Sequence, residues 1–100
     1  MNAAAGLLEG RHDHAVRRAA IIAANPGLQE RELHKLTKMA AMAATALRER
    51  GTHEPVASLA AQSAVTVFQV AFTQWVGTVG DPGSLADCIA RTAAELRALV

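Results

Sequence analysis

Apolar and polar positions along this chain recur at helical spacing, and the most apolar block runs from Pro55 to Val79 without a charged residue. On a helical wheel, Ser58, Gln62, Thr66, Gln69 and Thr73 fall on one narrow polar stripe. Opposite lies a ridge of small residues, Ala60, Ala64 and Ala71. Ala57, Ala61, Val65, Phe68, Phe72 and Trp75 form one flank, and Val56, Leu59, Val67 and Val70 the other. A helix this apolar has more surface than one neighbour covers, which predicts burial on two sides. A second copy of the chain, or a further domain, is expected to supply the second cover. Pro55 suits a first helical turn, and Gly77 with Gly80-Asp81-Pro82-Gly83 ends the segment.

Three further blocks carry the same period. Arg11 to Ala24 places Ala15, Ala19 and Ile22 on one face, with Val16, Ala20 and Ala23 beside it, before Asn25-Pro26-Gly27 stops it. Leu28 to Arg50 steps through Leu33, Leu36, Ala40, Ala43 and Leu47, and Gly51 is its C-terminal stop. Thr52-His53-Glu54 is the expected N-cap region of the long apolar helix. After it, Ser84 reads as an N-cap with Asp87 three residues on, and Leu85, Ile89, Leu96 and Val100 line one side of a last helix. Residues 1–10 form a poorly defined segment, because Gly6 and Gly10 interrupt Ala3-Ala4-Ala5 and Leu7-Leu8. The reading is an all-α protein, a four-helix antiparallel bundle-like domain over residues 11–100.

Composition agrees. The chain is 51% hydrophobic but 3% aromatic, and rich in alanine, the best helix former. Its 100 residues make one domain at most. Residues 11–50 hold eight Lys/Arg against four Asp/Glu, too interleaved for a nucleic-acid stripe. The single cysteine, Cys88, excludes an internal disulfide and fits a reducing, cytoplasmic setting. No signal-peptide pattern follows Met1. The seven Ser/Thr/Gln between Ser58 and Gln74 argue against the apolar helix as a membrane span.

Candidate chemistry is sparse. His12 and His14 point about 200° apart on a helix and cannot share one ion. Cys88 has no partner residue at a recognisable spacing and reads as a buried, inert thiol. No phosphate loop, paired carboxylates or nucleophile–base signature is present, so no enzyme, cofactor or metal site is expected. Met39 and Met42 with Phe68, Phe72 and Trp75 could make an adaptable apolar pocket, or ordinary packing.

The order of these features resembles the C-terminal domain of TetR/AcrR-type transcriptional regulators, in the actinobacterial branch with an acyl-CoA-like ligand domain. The similar stretches are RRAAIIAANPGLQERELHKL, an alanine-rich helix ending LRERG, EPVASLAAQSAVTVFQVAFTQWV, and SLADCIARTAAELRAL, together spanning Arg17 to Leu99. The resemblance implies that the last two helices pair with those of a second subunit in a dimeric four-helix bundle. Ala60, Ala64, Ala71, Phe72, Trp75, Ile89 and Leu96 would form that interface. It implies a ligand cavity among the middle helices, with Met39, Met42, Leu59 and Phe68 as candidates by position, and a small apolar or acyl-type effector. DNA would be reached only through an N-terminal helix-turn-helix head, which these residues do not include; the chain then reads as a fragment, an internal start or a headless remnant. The alternative is a stand-alone helical module that heterodimerises with full-length regulators.

Overall fold

A computed structural model describes the backbone of residues 2–100 and side chains from Gly10 onward. Among the described residues there are four helices and no strand: α1 (Asn2–Ala23), α2 (Pro26–Glu49), α3 (Val56–Gly77) and α4 (Leu85–Leu99). The all-α, bundle-like architecture is as the pattern predicts. The first helix differs: it begins at Asn2 and runs through Gly6 and Gly10. An interior glycine costs roughly 0.5–1 kcal/mol, which good helix formers such as the neighbouring alanines and leucines can offset. The side chains of residues 1–9 lie outside the described set.

Asn25-Pro26-Gly27 is both a stop and a start. Asn25 is the N-cap of α2; its Oδ1 accepts from the Gly27 and Leu28 amides at 3.0 and 3.3 Å. Pro26 occupies the first helical position, where a missing N–H costs nothing. Gln29 Nε2 reaches back to the Ala23 carbonyl at 2.7 Å and closes the end of α1. The corner between α1 and α2 is therefore only Ala24 and Asn25.

The end of α2 is a Schellman closure. The Thr52 amide donates to the Leu47 carbonyl and the Gly51 amide to the Arg48 carbonyl, both at 3.0 Å. Gly51 takes φ +97°, a left-handed conformation that side chains disfavour. The predicted cap of α3 takes another form. Pro55 is the N-cap and offers no side-chain bond, so Glu54 reaches forward instead, accepting from the Ser58 amide at 2.8 Å and from the Ser58 hydroxyl. In α4 the predicted cap is present: Ser84 Oγ accepts from the Asp87 amide at 3.0 Å.

The central element is α3. It packs against α2 on one side and α4 on the other, while α1 touches α2 and α3. The closed core sits at the C-terminal end of α3, where Ala71, Trp75 and Cys88 are buried with Ala15, Phe72, Val76, Leu85 and Ile89 around them. Trp75 is fixed from two directions. Its indole N–H donates to the Gly83 carbonyl at 3.0 Å, and His12 lies edge-on to the ring at 4.8 Å. His12 Nε2 also bonds the Trp75 carbonyl at 2.8 Å, which ties α1 to the end of α3. Cys88 Sγ donates to the Ala71 carbonyl at 3.3 Å, joining α4 to α3.

Candidate functional site

Three surfaces are open to binding. The first is a groove of about 620 Å³ between α2 and α3. Leu33, Leu36, Ala40 and Ala44, at helical steps, form its apolar wall on α2. Ser58, Gln62, Thr66 and Gln69 of α3 form the opposite wall. The polar stripe of the apolar helix thus turns toward α2 rather than only toward water. At the hairpin end Arg48 contributes the charge, with its guanidinium 3.6 Å from Glu54. The Ser58 hydroxyl bond first, then the Ser58 amide and Arg48, hold the Glu54 carboxyl below the ordinary glutamate range. One wall can take an apolar face and the other can donate and accept hydrogen bonds.

None of the pocket candidates lines this groove. Met39 and Met42 are 43% and 70% exposed, because they sit on other sides of α2 from the buried Ala44. Met42 lies two residues from Ala44, about 200° around the helix. Leu59 bears the same relation to the buried Ala57, and is 62% exposed. Phe68 stacks on Phe72 at 5.9 Å instead of turning into a cavity.

The second surface is the uncovered face of α3. Val56, Leu59, Ala60, Ala64 and Val70 are exposed, as is Leu96 on α4. The remaining interface candidates sit in or beside the closed core. Ala71 and Trp75 are core residues, while Phe72 and Ile89 are half-buried beside them and keep part of their surface open. By length and composition α3 could also cross a bilayer, with a mean hydropathy of 1.4.

The third surface is a groove of about 610 Å³ at the α1–α2 corner, lined by His14, Arg17, Arg18, Ile21, Ile22, Leu28, Arg31 and Glu32. Arg18 donates to Glu32 at 2.6 Å across it. The sequence pattern gave no hint of this grouping, since Arg17 and Arg31 are separated by a helix end. The signal that could have found it is the tightness of the Asn25-Pro26 corner. No three His, Cys, Asp or Glu side chains converge as a metal site among the described residues. Comparison with protein-family profiles, curated proteins and solved structures finds no match.

Proposed function

We propose that this chain is the dimerisation and effector-binding domain of a TetR-like transcriptional regulator, acting in the cytoplasm as a homodimer. The observation that favours the homodimer within this reading is surface area. A compact monomer of 10.5 kDa exposes about 5,400 Å², whereas this chain exposes 7521 Å². The excess, roughly 2,100 Å² over the whole chain, leaves room for a standard interface of ~800 Å² per partner. The radius of gyration agrees, at 15.7 Å against about 13 Å for a compact 100-residue domain.

The uncovered face also suits a second copy. Only 22% of the most apolar window of α3 is buried. Ala60 and Ala64 lie one turn apart and permit close helix approach, with Val56, Leu59 and Val70 as larger apolar contacts around them. Pairing through α3 and α4 would make a four-helix bundle from two helices per chain. The groove between α2 and α3 would remain outside that bundle and open to a small molecule.

Fusing the chain to a DNA-binding head that needs dimerisation tests this reading. The fusion is expected to repress an operator reporter, and Ala64→Arg to abolish repression. A fusion as inactive as the bare head would contradict it. Co-purification only with a longer helix-turn-helix protein would favour the heterodimerising module, and retention in the membrane fraction would favour an inserted α3.

A further inference from the structure

The geometry points to the α1–α2 corner groove as a binding site for a free amphiphilic anion, one with an alkyl body and a single carboxylate or phosphate head. This gives the effector part of the proposed function a place and a chemistry, and it rests on that part alone. The groove's volume, about 610 Å³, is that of a small-molecule site. Its apolar lining is Ile21, Ile22 and Leu28, with Ile21 62% exposed. Its rim carries three arginines against one glutamate.

The charges are not equivalent. Arg18 is engaged with Glu32 at 2.6 Å, a pair that braces the two helices and compensates the one acid on the rim. Arg17 and Arg31 have no ion-pair partner among the described residues. Each carries a planar fork of donors suited to carboxylate or phosphate. An apolar lining with two unpaired guanidiniums selects against both cationic and uncharged amphiphiles. The α2–α3 groove lacks this selectivity, because its one lining cation, Arg48, already faces Glu54.

The chain has three isoleucines, Ile21, Ile22 and Ile89, so its isoleucine methyl spectrum is a direct reporter. Ile89 packs against the Trp75 core and serves as the internal control. Decanoate and decyl phosphate, titrated below micelle formation, are expected to shift Ile21 and Ile22 saturably and leave Ile89 in place. Decyltrimethylammonium and decyl maltoside should bind at least about tenfold more weakly. The double variant R17Q/R31Q should lose about tenfold or more in affinity while keeping its helical circular dichroism. Equal binding of the cationic or neutral compounds, or wild-type affinity in R17Q/R31Q, would overturn the assignment. So would pelleting with phosphatidylglycerol vesicles without any saturable shift from the soluble anions. Sedimentation of the same samples reads dimerisation separately: loss of anion binding in a protein that still dimerises removes this site and not the dimer.

Discussion

The two ends of α3 are packed in opposite ways. At its C-terminal end, Trp75 is enclosed by α1, by α4 and by the connecting loop, with 8% of its surface exposed. Toward the N-terminal end Ala57 and Ala61 are still buried, but Val56 and Leu59 are 58% and 62% exposed. The row Phe68, Phe72, Trp75 records the transition, passing from exposed through half-buried to buried within two turns. At 1.5 Å per residue α3 is about 33 Å long, while α4 starts beside the Trp75 end and is only about 22 Å long. Between them, α2 and α4 leave Val56 and Leu59 uncovered at the N-terminal end.

That contrast gives the largest expected effect. Ala71→Arg places an unpaired charge in the closed end and should cost about 4 kcal/mol or more, seen as loss of the cooperative unfolding transition. Ala64→Arg, one face and two turns away, should leave helical content intact and separate the subunits. If the two variants behave alike, the division of α3 into a core end and a partner end is wrong.

Within the closed end, Trp75→Ala should destabilise by about 3–5 kcal/mol in denaturant unfolding, since it removes the largest core side chain and orphans the Gly83 carbonyl. A cost under about 1 kcal/mol would mean that the loop and α4 dock without it. His12→Ala should cost less, about 1–2 kcal/mol, by deleting one hydrogen bond and one edge-on ring contact. Its signature is a red shift of Trp75 emission as α1 lifts away; unchanged emission would show that the other contacts of α1, with α2 and through Ala15, hold it in place.

The smallest effect belongs to the open end. Glu54 has its folded-state carboxyl below the ordinary range, chiefly through the Ser58 hydroxyl. A depressed carboxyl stabilises fully above the unfolded value and loses that contribution as pH falls through the folded one. Ser58→Ala should move the Glu54 carbon-13 titration midpoint upward toward the ordinary glutamate value. An unmoved midpoint would mean the cap is not formed in solution.

Much of this architecture was legible in the pattern. The Ser84 cap, the Gly51 stop and the apolar stripe of Leu33, Leu36 and Ala40 are local features, and local chemistry fixes them. What the pattern could not give is reach. Ala64 and Ala71 share a ridge on the wheel, yet one is exposed and the other fully buried, because the wheel carries no information on which turns of a face a neighbouring helix covers. The binding grooves were hidden for a related reason. Met39 and Met42 drew notice as adaptable side chains but lie on other sides of α2 from the groove, whereas Ser58, Gln62, Thr66 and Gln69 line it. Their signal was the polar stripe itself, an unusual feature on so apolar a helix. Arg17 and Arg31 come together only through the corner that Asn25 and Pro26 make.

The central claim is that α3 is completed by a second copy of the chain. Sedimentation velocity of the purified protein across micromolar concentrations tests it most directly. The expected result is a species of twice the 10.5 kDa chain mass, reduced to the single-chain mass by Ala64→Arg. A single chain of 10.5 kDa at every concentration, soluble without detergent, would contradict it.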